Sequence, residues 1–332
     1  MMDRFKVYRI HVDGGAVRAG FEYLALNDLS AGEVVVRVAY SSVNYKDALA
    51  ATGAGKILRR SPLVGGIDLA GSVASSTDAR YKTGDAVVVT GCGLSEVHDG
   101  GYAEYARVPG DWVIPMPAGL DARLAMAVGT AGFTAALAIQ KMELNGLLPG
   151  AGPVVVTGAS GGVGSVAVDM LHGRGYEVVA VSGKADADEY LRSLGAGRIL
   201  RRQELDFGKK PMERATWAGA IDSVGGETLA WLTRTMEPTG SIVSVGLAGG
   251  AELNTTVMPF ILRGINLLGV SSSSTVRALR LLVWQRIATD LRPKHFDRLI
   301  AREIGFEQLP GVFAQYLEAR VIGRTIVRID GR

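Results

Sequence analysis

Residues 154–157 read Val-Val-Val-Thr, and the chain then turns through Gly158-Ala159-Ser160-Gly161-Gly162-Val163-Gly164 into a helical stretch reaching His172. Five more short apolar runs follow, at 178–182, 198–200, 220–224, 241–246 and 265–270, with helical segments at 187–194 and up to Met236 between them. Strand, glycine turn, helix and a repeated return to strand favour one architecture, a parallel, doubly wound Rossmann sheet.

The rest of the chain must be arranged around that sheet. Residues 33–40, 85–90 and 112–116 are β-branched runs bounded by turns, so the first third reads as a β-rich domain. Asp121 can cap a long apolar helix that runs towards Ile139, which puts a boundary near Leu124. Residues 276–290 have helical spacing, and the final run 325–329 has no place in a finished six-strand wound sheet. It is expected to return to the first domain. The expected fold class is α/β, a Rossmann domain at 127–291 inserted into a β-rich domain built from 1–126 and 292–332.

Composition narrows the function classes. The 36 basic and 33 acidic side chains are too balanced for a polyanion-binding surface, so nucleic acid is not an expected partner. The single cysteine, Cys92, leaves no disulfide framework and no cysteine-rich zinc lobe, which suits a reducing cytoplasm. Residues 1–10 alternate charged and apolar side chains without the core of a signal peptide. The longest uncharged stretch, 124–140, is interrupted by Gly129, Thr130, Gly132 and Thr134 and reads as a buried helix, so no membrane is expected.

The glycine turn carries the chemistry. With Ala159 at the first glycine position the motif is A-x-G-x-x-G. Small residues there let the amides of Ser160, Gly161, Gly162 and Val163 approach a pyrophosphate at a helix N-terminus, and Gly164 lets the helix pack on the strand. NAD-binding proteins of this fold usually end the second strand with an acidic residue for the ribose 2′-hydroxyl. Here it ends Ser182-Gly183-Lys184, a hydroxyl, an amide and an ammonium that suit the 2′-phosphate of NADPH, with Arg201 or Arg202 as a second cation. The alternative for Lys184 is a solvated lysine beside Asp186, Asp188 and Glu189.

The segments NYKDALAATGAGKI (44–57), GDWVIPMP (110–117), GTAGFTAAL (129–137), VTGASGGVGS (156–165), WAGAIDSVGGETL (217–229), GLAGG (246–250) and TTVMPFILRGINLLGV (255–270) extend the pattern along the whole chain. Together they resemble the acrylyl-CoA reductase subfamily, in the quinone oxidoreductase-like branch of the medium-chain dehydrogenase/reductase superfamily. The resemblance implies a GroES-like shape for the β-rich domain, an NADPH-dependent reduction of a short 2-enoyl-CoA, and a homodimer joined through the edge strand at 265–270. It further implies cofactor contacts from Tyr45, Leu247, Ile261 and Ser272. Zinc members of the superfamily hold a metal near two turns that read Val43-Asn44-Tyr45 and Gly66-Ile67-Asp68 here, without Cys or His. His11, His98, His172, His295 and Cys92 show no ligand spacing, so no metal is expected.

Tyr45 then stands where a metal ligand would. Its phenol can hydrogen-bond a developing enolate, or simply pack against nicotinamide or substrate. Asn44 and Asp47, counted with Tyr45 as candidate catalytic residues, are expected to shape this loop, Asp47 by capping a helix that begins at Ala48; Arg324 is expected either to reach the site from the returning strand, for catalysis or substrate contact, or to form a surface or interdomain salt bridge. Lys56, Arg59 and Arg60 form a basic patch that could receive the phosphates of coenzyme A, or simply be a solvated face. Two other functions use the same parts: a quinone or reactive-enone reductase, and a non-catalytic NADPH-binding sensor.

Overall fold

The computed structural model of the chain describes residues 4–330. Its contacts divide into two units, one made of 1–130, 272–284 and 300–332, the other of 131–271 and 285–299.

The first unit is built on β-sheet. Strand Val34–Val43 is central: it pairs antiparallel with Asp68–Ser76 along one edge and, along the other, with Tyr105–Val108 at residues 34–37 and with Arg324–Arg328 at residues 40–43. Ala86–Thr90 and Ile114–Pro115 extend the sheet beyond Asp68–Ser76, and Ile300–Gly305 lies parallel to Arg324–Arg328 at the opposite edge. The C-terminal strand thus closes against residues 40–43. A second, three-stranded sheet joins the hairpin Phe5–Asp13 and Ala16–Leu24 to Leu63–Val64. Val34, Val36, Val38, Leu69, Val87, Tyr102 and Phe313 fill the core. Such alternating β-branched side chains stabilise a sheet through same-face packing, each fully buried one by about 1.5–3 kcal/mol.

The second unit is the six-stranded, all-parallel sheet in the order Arg198–Arg201, Val178–Ser182, Val154–Thr157, Trp217–Asp222, Met236–Ser244 and Asn266–Gly269. In sequence terms this is the 3-2-1-4-5-6 arrangement of a Rossmann sheet. Val154, Val155, Val156, Val179, Ala220 and Ile242 are all wholly buried, as strands covered on both faces require.

The helix Ala122–Leu144 runs five residues beyond the expected Ile139, with Asp121 Oδ1 accepting the Leu124 amide at 2.8 Å. It is broken at Gly129, whose φ of 53° and ψ of −160° no helix contains. It is also the one described helix long and apolar enough to cross a membrane, and 78% of its most apolar window is buried.

Candidate active site

In the first unit the loop 42–45 is tied down by buried polar groups. Asn44 (φ −120°, ψ 159°) is the N-cap of the helix Tyr45–Thr52. Asp47 was expected to cap a helix starting at Ala48. Instead it is the third helical residue, and its Oδ2 accepts the Asn44 amide at 2.8 Å and the Asn44 Nδ2 at 3.1 Å. The helix starts three residues earlier because Asn and Asp together form the reciprocal cap that its open N–H groups need. The other Asp47 oxygen accepts the Ile67 amide at 2.9 Å.

Asp68, wholly buried, is the hub of this layer. Its Oδ2 accepts from Ser42 Oγ at 2.6 Å and Asn44 Nδ2 at 2.9 Å. Its Oδ1 accepts the Thr130 hydroxyl at 2.5 Å, and the Thr130 amide lies 3.0 Å from both oxygens. Arg324, 1% exposed, donates to Ser42 Oγ at 2.9 Å, Asn44 Oδ1 at 3.1 Å and the Ala127 carbonyl at 3.1 Å. Burial, and after it the charge of Asp68, push the Asp47 carboxyl up to about 7. Tyr45 itself is 51% exposed. The structure therefore puts Asn44, Asp47 and Arg324 beneath the loop and leaves the Tyr45 ring open to a ligand.

In the second unit the strand Val154–Thr157 leads through Gly158 to the helix Gly162–Gly173. A Cβ on Gly164 would fall 2.4 Å from the Gly158 carbonyl oxygen and 2.6 Å from the Ala159 Cα, so only glycine allows this helix to sit so close to the turn. Ser160 Oγ lies 3.2 Å from Ser182 Oγ, joining the first turn to the end of the second strand. Burial lowers the Lys184 ammonium, and Asp186 works against it. Arg201 is committed within the turn: it donates to the Lys184 carbonyl at 2.7 Å and to Asp188 Oδ2 at 2.8 Å. Arg202 is exposed, and its Nε comes within 3.5 Å of where a Gly183 Cβ would stand. Of the two arginines, Arg201 is thus spent on the turn itself, and Arg202 is the exposed one beside Gly183.

The strand order reverses between Val154–Thr157 and Trp217–Asp222, the place where such sheets receive a dinucleotide. Two features there were missed by sequence reasoning. Asp222, wholly buried, accepts Thr157 Oγ1 at 2.6 Å and the Gly225 amide at 2.8 Å, pinning the second turn. Ser223 Oγ is buried without a hydrogen-bond partner, an open polar group at the switch point. An orphan hydroxyl, closely packed glycines and the Lys184–Arg202 pair fit a phosphorylated dinucleotide. Leu247 and Ile261 are 66% and 72% exposed, whereas Ser272 is half-buried with its carbonyl accepting Arg280 Nη2 at 2.5 Å.

Comparison with known proteins agrees with both halves. Residues 30–118 match the family described as the alcohol dehydrogenase GroES-like domain, and 162–288 match that described as zinc-binding dehydrogenase. The chain is 50% identical over 319 residues to the acrylyl-CoA reductase AcuI of Ruegeria pomeroyi, covering 96% of each protein. It is 47% identical to the Salmonella enterica yhdH oxidoreductase, solved in complex with NADP, with a TM-score of 0.94, covering 98% of this chain and 100% of that one. The Bacillus subtilis protein yhfP, solved with NAD bound, is 43% identical with a TM-score of 0.95, covering 98% and 99%. The zinc in the second family description does not fit the side chains here. Among the described residues no three His, Cys, Asp or Glu converge, and the oxygens of Asp47 and Asp68 are already occupied by hydrogen bonds.

Proposed function

The chain belongs to the acrylyl-CoA reductase branch of the medium-chain dehydrogenase/reductase superfamily, and on that premise we propose that it reduces acrylyl-CoA, or a similarly short 2-enoyl-CoA, to propionyl-CoA or its homologue with NADPH. The full-length likeness to the Ruegeria pomeroyi enzyme carries this reading. When bound, NADPH supplies a hydride to the β-carbon of the enoyl thioester. Electron density then moves to the thioester oxygen, and a proton must reach the α-carbon.

The residues divide this work. The amides of Ser160, Gly161, Gly162 and Val163 receive the pyrophosphate, and Ser182, Gly183, Lys184 and Arg202 receive the 2′-phosphate. Leu247, Ile261 and Ser272 border the rest of the cofactor. Tyr45 offers its phenol to the thioester oxygen, where a preorganised donor stabilises the developing negative charge. Asn44, Asp47 and Arg324 touch neither ligand in this assignment and hold the backbone from which Tyr45 projects. Lys56 and Arg59 are exposed at the far end of the Tyr45–Thr52 helix and are free to meet the coenzyme A phosphates, while Arg60 is engaged with Ser30 Oγ at 2.8 Å. A homodimer through Asn266–Gly269 is part of the same proposal, since among the described residues that strand pairs only with Met236–Ser244 and leaves one edge open. A cytoplasmic location completes it.

The test is NADPH oxidation with acrylyl-CoA, run beside NADH and beside a simple quinone. NADPH-selective oxidation with stoichiometric propionyl-CoA is the expected result. Turnover of the quinone without turnover of acrylyl-CoA would overturn the CoA-ester assignment in favour of a quinone or enone reductase.

A further inference from the structure

We propose that Asp68, acting with Ser42 and Thr130, is the positioning residue that sets where Tyr45 stands, and so sets kcat; this rests on the reaction proposed above. Tyr45 is half exposed, and no hydrogen bond to its phenol is found among the described residues. Its place is therefore decided by the backbone that delivers it, at Asn44. The Asn44 side chain is saturated: the two N–H groups of Nδ2 donate to Asp68 at 2.9 Å and Asp47 at 3.1 Å, with Ser42 Oγ 3.3 Å away, and Oδ1 accepts Arg324 Nη1 at 3.1 Å. Arg324 also reaches the Ala127 carbonyl and Asp47 the Ile67 amide, but of these partners Asp68 is the one that ties Asn44 to a second body through the Thr130 amide and hydroxyl.

That second body is the helix after Gly129. A helix restarting at Thr130 has open N–H groups, and the Asp68 carboxylate receives the first of them together with the Thr130 hydroxyl. One carboxylate thus cross-links Ser42 and Asn44 to Thr130, the first two lying 26 and 24 positions before it in sequence and the third 62 after. Stability alone gives little reason for such a group, because buried charges are often replaceable by apolar side chains at no loss. A geometric task gives one, since misplacing a reacting partner by about 1 Å can lower a rate about 100-fold.

The experiment is a double-mutant cycle between Asp68→Asn and Tyr45→Phe, followed by kcat, KM for acrylyl-CoA, Kd for NADPH from nicotinamide fluorescence, and Tm. An amide at 68 keeps the shape but must face one donor group with another. Asp68→Asn is expected to lower kcat at least about 10-fold in the wild-type background and by less than about 2-fold once Tyr45 is Phe, because the two residues act on one quantity. The NADPH Kd should stay within about 2-fold, since the groups assigned to its pyrophosphate and 2′-phosphate lie on the second unit. Equal losses in both backgrounds would overturn the proposal, as would a fall in Tm with kcat unchanged. If Asp68→Asn does not fold, Thr130→Val and Thr130→Ser run the same cycle: the serine should restore kcat and the valine should not. If acrylyl-CoA is not a substrate but a quinone is, the substrate assignment fails and the cycle is read on the quinone, so the two failures stay separate.

Discussion

Replacing Gly129 by alanine tests the buried layer at its tightest point. A Cβ there would stand 2.6 Å from Arg324 Nη2, 2.7 Å from Asp68 Oδ2 and 3.0 Å from Ser42 Oγ. The backbone adds a second penalty, because φ of 53° with ψ of −160° is essentially a glycine conformation, costing any other residue about 1–3 kcal/mol. Overpacking a filled site costs about 1–3 kcal/mol more. Since the three neighbours are held by hydrogen bonds to one another, they cannot all retreat, and we expect a total of about 2–6 kcal/mol, a large part of a domain's stability of about 5–15 kcal/mol. Gly311→Ala is the control, for a Cβ at Gly311 meets nothing within 4 Å and needs no positive φ. Urea unfolding followed by circular dichroism should show an early loss of β structure in Gly129→Ala, with kcat reduced in the folded fraction. If Gly129→Ala matched Gly311→Ala within about 1 kcal/mol and kept its kcat, the reasoning about this layer would be wrong.

Two further outcomes follow from named groups. Lys184→Ala and Arg202→Ala should each raise the Kd for NADPH about 10- to 100-fold, the loss of a charge-assisted bond worth about 1.5–3 kcal/mol, with little change for NADH; equal effects on both cofactors in a fluorescence titration would refute the assignment of the 2′-phosphate. Asp47 links stability to pH. Its carboxyl moves from the usual 3.8 up to about 7 on folding, so between those values the folded chain holds a proton that the unfolded chain has released. The contribution is therefore fully present below about pH 4 and lost as pH rises through about 7, amounting to about 4 kcal/mol in all and about 2 kcal/mol between about pH 5.5 and about pH 8. Urea titrations at those two pH values should show this slope in the wild type and a flatter one in Asp47→Asn.

The two units were unequally legible for a physical reason. Parallel strands covered on both faces are continuous apolar runs, and their crossovers are local, so each of the six strands of the Rossmann sheet announces itself within about a dozen residues. The antiparallel unit hides its partners. The hairpin Phe5–Asp13 and Ala16–Leu24 turns at Gly14-Gly15, yet its alternation of charged and apolar residues was read only as evidence against a signal peptide. Likewise 33–40 was legible as a strand, but not its last residues, Ser41 to Val43, because serines weaken a β signal whose justification here is tertiary: Ser41 Oγ donates to the Asp68 carbonyl and Ser42 Oγ to the Asp68 carboxylate.

The same distinction decides what could be seen of the site. The glycine turn and Ser182-Gly183-Lys184 are contiguous, so chemistry and position are read together. Asn44, Asp47 and Arg324 could be named but not assigned, since what each does depends on a partner remote in sequence. Asp68 was passed over as one of the places where a metal ligand is missing. Its signal was an ionisable residue inside the apolar run Leu63 to Ala70, which water cannot reach, and such a residue must find donors or lose its charge. Those donors, with Gly129 and Thr130 breaking an apolar helix, mark the same layer from the other side. Arg324, buried in this layer, bonds Asn44 and Ser42 rather than either carboxylate, and the buried Arg280 lies near enough to Asp68 for the two charges to interact. Burial, and after it the charge of Asp68, push the Asp47 carboxyl up to about 7, while the oxygens of Asp68 are engaged by Ser42 and Asn44 of the loop and by Thr130 of the helix, the contacts through which the proposal has it fix the geometry above.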